Sequence, residues 1–164
     1  MCSIVNGTRQ GSILSPALFA IYVDDLPQEL KSLGVGCYVA GMYMGGIGFC
    51  DDMLLLAPTR DGMQLMLNTC ESFALRNNLQ FSTDPNPAKS KTKCIFMTGK
   101  RKNLPKPVPL VLSGKELPWV TSATHLGHEF HESGNMNYDT TIKRAEFIRK
   151  SSDIRETIFF ASPV

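Results

Sequence analysis

The sequence contains no run of 18 or more apolar residues, so no membrane-spanning helix is expected. Met1 is followed by Cys2, Ser3, Ile4, Val5 and Asn6, with no basic stretch leading into an apolar one, and no secretory signal is read there. Cysteine is scattered: Cys2, Cys37, Cys50, Cys70 and Cys94 are odd in number, lie far apart and form no CxxC pair. A zinc or dithiol motif is therefore missing, and a reducing compartment fits best. The glycines between positions 34 and 48 make neither G-x-G-x-x-G nor a lysine-bearing P-loop, which removes the nucleotide folds that need those spacings. The single tryptophan, Trp119, reads as a packing residue, and no Ser-His-Asp grouping has independent support. Charge of neither sign dominates: 17 Lys+Arg stand against 15 Asp+Glu, and a net charge of +2 is too small to identify a partner.

What is present is enough for one globular domain. The chain has 164 residues, 43% of them hydrophobic, which is too apolar for disorder. A chain of this order buries about 70% of its extended surface, so a core forms without disulfide staples. A soluble protein, intracellular in the nucleus or cytoplasm and without a membrane partner, is expected. The charge is uneven, since Lys89, Lys91, Lys93, Lys100, Arg101 and Lys102 crowd one stretch. That stretch is either a solvated basic loop or a site for an anionic partner.

Along the chain, Ser15 and Pro16 supply an N-cap and first-turn proline for a helix through Ala17, Leu18, Ile21 and Tyr22. Pro27 interrupts it, and Asp25 caps a shorter helix over 27–33 that stops at Gly34. Short apolar runs over 35–44, 46–50 and 53–57, split by glycine, suit strands. Asp51 and Asp52 lie between the last two runs, which puts two adjacent carboxylates at a hairpin tip. Positions 61–77 carry Met63, Met66, Leu67, Cys70, Phe73 and Ala74 at helical spacing, ending at Asn77 and Asn78. Strands are expected at 79–81 and 92–97 around the Pro85-Asn86-Pro87 loop, short strands at 110–112 and 117–120, and a helix over 142–160. The Pro-rich 104–109 marks a subdomain seam. The fold class is α+β, with an antiparallel sheet backed by helices.

Adjacent aspartates on a tight turn repel each other at a few Å, and a divalent cation relieves that repulsion. Mg²⁺, with Mn²⁺ as its substitute, takes oxygen ligands and leaves room for phosphates. Standing alone, the pair also suits an ordinary Asp-rich turn. It does not stand alone. The segment Gly7-Thr8-Arg9-Gln10-Gly11-Ser12-Ile13-Leu14-Ser15-Pro16-Ala17-Leu18-Phe19 resembles the B motif of reverse transcriptases, and Phe49-Cys50-Asp51-Asp52 resembles their C motif. The likeness is greatest to the LINE-type enzymes of non-long-terminal-repeat retrotransposons. It continues through Cys70-Glu71-Ser72-Phe73-Ala74, Lys89-Ser90-Lys91-Thr92-Lys93 and His125-Leu126-Gly127-His128, nearly the whole chain.

That resemblance implies an RNA-directed DNA polymerase using an RNA template, a DNA primer and deoxynucleoside triphosphates. It implies Asp51 and Asp52 as catalytic metal ligands, and Arg9, Gln10, Gly11 and Ser12 at the nucleotide and template. Lys91 and Lys93 fall where the family's D motif places a lysine near the leaving pyrophosphate, and on a strand both would point the same way. The residues do not choose between them. Phe49 and Cys50 stand where the LINE-type box more usually has Tyr and Ala, and neither change removes a ligand. Residues 1–103 would be a partial palm, and 104–164 the palm–thumb connection and the start of a small thumb-like segment.

Two further patterns need separating from these. Tyr22-Val23-Asp24-Asp25 imitates the polymerase box, but it continues a helix and precedes Pro27, so its carboxylates serve as helix end and cap. His125, His128 and His131 are spaced by threes, which on a helix would invite a metal. The resemblance places Leu126-Gly127 in a primer-grip-like hairpin instead. Only six residues precede Gly7, too few for the strand carrying the family's further metal-binding Asp, so a partial copy that polymerises poorly alone is expected. Its partner would be the remaining part of the polymerase. The alternatives are an inactive nucleic-acid-binding remnant that uses the lysine-rich stretch on phosphates, and an expressed remnant without a task.

Overall fold

The structure is a computed structural model that describes residues 14–84, 86, 88–98, 105–134 and 143. It has mixed α and β composition and divides into two compact units, residues 1–94 with 107–119 and residues 95–106 with 120–164. The helix expected over 142–160 lies outside the described residues.

The first unit opens with α1 (Ser15–Tyr22) and α2 (Asp25–Ser32). Leu14, not Ser15, occupies the N-cap of α1, and its carbonyl accepts the Leu18 amide at 2.9 Å. The break between the helices falls at Val23 and Asp24, ahead of Pro27. A proline ring collides with the carbonyl four residues earlier in a continuous helix, here that of Val23. Restarting at Asp24 puts Pro27 in the first turn of α2, where its missing N–H would have no partner in any case. Asp25 is thus a first-turn acid and not the cap, still favourable at the positive end of the helix. Gly34, at φ +69, ends the element.

The run 35–44 is not one strand. It folds back as β1 (Tyr38–Val39) and β2 (Met42–Tyr43), antiparallel, with Ala40 at φ 49 and Gly41 at φ 80 in the turn. Positive φ at both central residues matches the twist of the flanking strands. The hairpin of β3 (Gly46–Phe49) and β4 (Asp52–Leu55) follows. The two hairpins join at their roots, where the Cys37 amide donates to the Leu56 carbonyl at 3.0 Å and the Leu56 amide donates to the Gly45 carbonyl at 2.7 Å. Tyr43 lies across Gly36 and Gly45; a Cβ at Gly45 would stand 2.5 Å from its ring. Its ring meets Tyr38 edge-on at 5.3 Å, and burial, with Tyr38 adding to it, raises its pKa.

Helix α3 (Arg60–Arg76) is capped by Thr59, whose hydroxyl accepts the Gly62 amide at 3.1 Å. Met66, Cys70 and Phe73 form a core with Leu26 and Leu30 of α2, against which Met53 and Leu55 of β4 pack. Leu67 forms a second cluster with Leu110, Leu112 and Leu117. At its C-terminus Asn78 takes φ 51, and the Leu79 amide donates back to the Ala74 carbonyl at 2.8 Å, a Schellman closure. That closure explains why 79–81 pairs with no strand: Leu79 is spent on the helix end. Of the expected strand 92–97 only β5 (Cys94–Ile95) forms. Then β6 (Val111–Leu112) and β7 (Lys115–Glu116) make a hairpin around Ser113 and Gly114, both at positive φ, followed by β8 (Trp119–Val120). Trp119 packs on the second cluster and donates Nε1–H to the Pro107 carbonyl at 3.1 Å.

In the second unit β9 (Ser122–His125) and β10 (His128–His131) form an antiparallel hairpin over Leu126 and Gly127, at φ 49 and 76. The α+β class expected is met with small two-stranded sheets among the described residues.

Candidate active site

The β3–β4 register fixes the carboxylate pair. Gly46 faces Leu55, Ile47 faces Leu54, Gly48 faces Met53 and Phe49 faces Asp52, which leaves Cys50 and Asp51 as a two-residue tip. Because side chains alternate along a strand, Met53 and Leu55 share one face and Asp52 and Leu54 the other. Met53 and Leu55 turn to the core, so Asp52 turns away from it, opposite Phe49, itself 62% exposed. Asp51 and Asp52 are both exposed. Gly46 has a packing reason: a Cβ there would stand 3.1 Å from Leu30 Cδ1, so α2 rests directly on the hairpin backbone. Cys50 takes φ 54 at the first turn position, a conformation that glycine adopts more readily.

Hard carboxylate oxygens, exposed and adjacent, are the donors a divalent cation such as Mg²⁺ takes. Among the described residues no Lys, Arg or His forms an ion pair with either aspartate, and no third His, Cys, Asp or Glu completes a metal-holding group. The donor chemistry of these two carboxylates fits a divalent cation.

Lys91 and Lys93 are exposed and Thr92 between them is half-buried, but Lys91 lies in a bend and both precede β5. They belong to the same unit as the hairpin. Arg9, Gln10, Gly11 and Ser12 lie outside the described residues. The imitating Tyr22-Val23-Asp24-Asp25 is the α1–α2 junction, with Asp24 at the N-cap of α2. His125 and His128 face one another beside the turn of the β9–β10 hairpin, and His131 faces Ser122. Among the described residues they form no metal group. Sequence reasoning missed Ser90, buried inside the lysine-rich stretch. Its one signal is the alternation of Lys89, Ser90, Lys91, Thr92 and Lys93.

The described residues thus place two exposed carboxylates at the end of a strand pair, with a lysine-bearing loop in the same unit. The chain matches the family described as reverse transcriptase (RNA-dependent DNA polymerase) over residues 2–130, and it belongs to that family. Within it, the chain is similar to curated retrotransposon proteins. It is 31% identical over 124 residues to the retrovirus-related Pol polyprotein from type-1 retrotransposable element R2 of Nasonia vitripennis, covering 74% of this chain and 11% of that protein. It is 35% identical over 78 residues to the corresponding polyprotein from type-2 retrotransposable element R2DM of Drosophila melanogaster, covering 48% of this chain and 7% of that one. The chain thus spans about a tenth of the length of these relatives. Among the described residues no helix is long and apolar enough to cross a membrane.

Proposed function

We propose that the chain contributes the later half of a polymerase palm and the start of a thumb to an RNA-directed DNA polymerase of a LINE-type retrotransposon, with residues 1–103 in the palm and 104–164 beyond it. The observation that carries this reading is the β3–β4 hairpin, which holds Asp51 exposed at its two-residue tip and Asp52 facing outward at the start of β4, inside the family-matched segment. The reaction is attack of a primer 3′-hydroxyl on the α-phosphate of a deoxynucleoside triphosphate, with pyrophosphate leaving and RNA as template. Asp51 and Asp52 would hold Mg²⁺ or Mn²⁺, which when bound stabilises the charge on the attacking and leaving oxygens. The chain's own part is positional. Leu30 against Gly46, and Met53 and Leu55 in the core, keep the tip in place before substrate arrives. Lys91 and Lys93 offer ammonium groups to the leaving pyrophosphate, and Arg9, Gln10, Gly11 and Ser12 serve the nucleotide and template. The partners are the template, the primer and the rest of the polymerase, inside the cell.

One observation favours a second reading. Among the described residues only two carboxylates are on offer for the metals. A chain so equipped binds nucleic acid through its lysines without copying it. Primer extension on an RNA template with Mg²⁺ separates the two. In an assembly that synthesises DNA, Asp51→Asn lowers the rate by on the order of 100-fold or more, the scale seen when one preorganised charge-stabilising group is removed. The chain alone extends the primer little but retards it on a gel in a salt-dependent manner. Equal synthesis by the wild type and Asp51→Asn defeats the assignment.

A further inference from the structure

Tyr22, the aromatic residue of the imitating Tyr22-Val23-Asp24-Asp25, makes a bond that its sequence context does not announce. Its hydroxyl donates to the Asn77 carbonyl at 2.5 Å, 55 positions away. Asn77 is the C-cap of α3, and its carbonyl is among those that a helix end leaves without an intrahelical partner. The last turn of α3 is itself closed: the Asn77 amide and Asn77 Nδ2 both donate to the Phe73 carbonyl, at 3.0 and 2.9 Å. Tyr22 therefore ties α1 to a fixed point.

Packing does little to hold α1 otherwise. The helix buries no side chain; Leu14, Leu18 and Ile21, which recur at helical spacing, are exposed, and Ser15 and Phe19 are half-buried. Its C-terminal end, in contrast, is anchored, because Val23 packs against the core and α2 sends Leu26 and Leu30 into it. The helical ladder is interrupted at Val23 and Asp24, which makes α1 a short rod on a held pivot. Eight residues make the rod about 12 Å long, and a tilt of about 10° carries its far end by about 2 Å.

That far end adjoins the glycine-rich segment. Ser12 lies three residues before Ser15, a reach of about 11 Å at full extension, so the placement of α1 bounds where Arg9, Gln10, Gly11 and Ser12 act. We propose that Tyr22 is a positioning residue, whose hydroxyl bond to the end of α3 holds α1 at the tilt that brings the glycine-rich segment to a nucleotide at Asp51 and Asp52. This role rests on the polymerase reading, whereas the tether stands on the geometry of α1 and α3. One hydrogen bond shifts an equilibrium by about two- to tenfold, so without it α1 spends part of its time released. Released α1 weakens nucleotide binding by the fraction of time it is out of place, and saturating nucleotide draws it back. The loss falls on KM and spares kcat.

Tyr22→Phe, which keeps the ring and removes the hydroxyl, is tested in two measurements. In the full chain, hydrogen exchange at the Leu18 amide, bonded to the Leu14 carbonyl at 2.9 Å, accelerates by about two- to tenfold, because so short a helix frays once released. The Met63 amide, bonded to the Thr59 carbonyl at 3.1 Å at the other end of α3, keeps its protection. In an assembly that synthesises DNA, KM for the deoxynucleoside triphosphate rises by about the same factor while kcat stays within about twofold. The control is Arg76→Gln, which cuts the neighbouring tie of Arg76 to Glu29, at 2.6 and 2.7 Å, and leaves Tyr22 bonded. It lowers the melting temperature and changes neither Leu18 exchange nor KM. Unchanged exchange at Leu18 in Tyr22→Phe overturns the tether. Faster exchange with an unchanged KM, or a KM rise shared equally by Arg76→Gln, overturns the positioning role. If no assembly shows Asp51-dependent synthesis, the polymerase reading falls and the positioning role with it, while exchange at Leu18 still decides the tether.

Discussion

At Cys50 the backbone runs at φ 54, and a side chain in the left-handed region costs roughly 1–2 kcal/mol relative to glycine. Replacing it relieves that cost: Cys50→Gly is expected to raise unfolding stability by about 1 kcal/mol, read as a higher urea midpoint at unchanged m. A lower midpoint would mean that the thiol's contacts outweigh the strain. The hairpin end that carries Asp51 and Asp52 is legible in the sequence because apolar runs flank the pair on both sides, although the register puts Asp51 in the turn and Asp52 in β4. Ser90 could not, since a serine among lysines carries no hydrophobic signal and its burial depends on carbonyls that the fold brings near. Likewise, nothing in the spelling of Lys115 announces that its ammonium meets Thr83, 32 positions away.

Helix α3 was the element most legible from pattern. Met66, Leu67, Cys70, Phe73 and Ala74 recur at helical spacing and are all buried. Its polar face carries work that periodicity does not reveal. Gln64 grips the backbone of the edge strand β6 with both ends of its amide, donating to the Val111 carbonyl at 2.8 Å and accepting the Val111 amide at 2.9 Å. Arg60 adds a 3.0 Å bond to the Pro109 carbonyl. Gln64→Ala removes these two bonds and a third, from Gln64 Nε2 to Asn68 Oδ1 at 2.9 Å, all softened by exposure, so a loss of roughly 1–2 kcal/mol is expected. Amide hydrogen exchange at Val111 should accelerate in parallel; unchanged protection there would show that the β6–β7 pairing suffices. Positions 35–44 hold a turn that pattern alone does not reveal, because Ala40 takes the left-handed position that Gly, Asn or Asp usually fills. The strand expected at 79–81 failed because the demands of a helix end act before those of a ladder.

Across the whole molecule the thiols couple stability to pH. Burial pushes the Cys70 thiol up to about 12 and the Cys94 thiol up to about 11 from an ordinary 9.0. A raised thiol pKa stabilises the fold fully below the unfolded value, and that stability is lost as pH climbs through the folded values. The contribution of these two thiols is therefore level up to about pH 9 and falls between there and pH 11–12. Cys70→Ala, though weaker at neutral pH because of the volume it removes from the core, should show a shallower alkaline decline in urea titrations; parallel declines would exclude Cys70 as the source. Both thiols should also resist alkylation at pH 8 while the chain is folded, because the thiolate is the reactive form.

The tip at Cys50 and Asp51 also sets a rule about length. Facing positions along β3 and β4 are counted in pairs from a root fastened by Leu56 to Gly45, so one residue gained or lost between Asp52 and Leu56 rotates Asp52 from the open side to the packed side. Point changes on the outward positions leave the aspartates in place, whereas a single inserted or deleted codon removes them at one stroke.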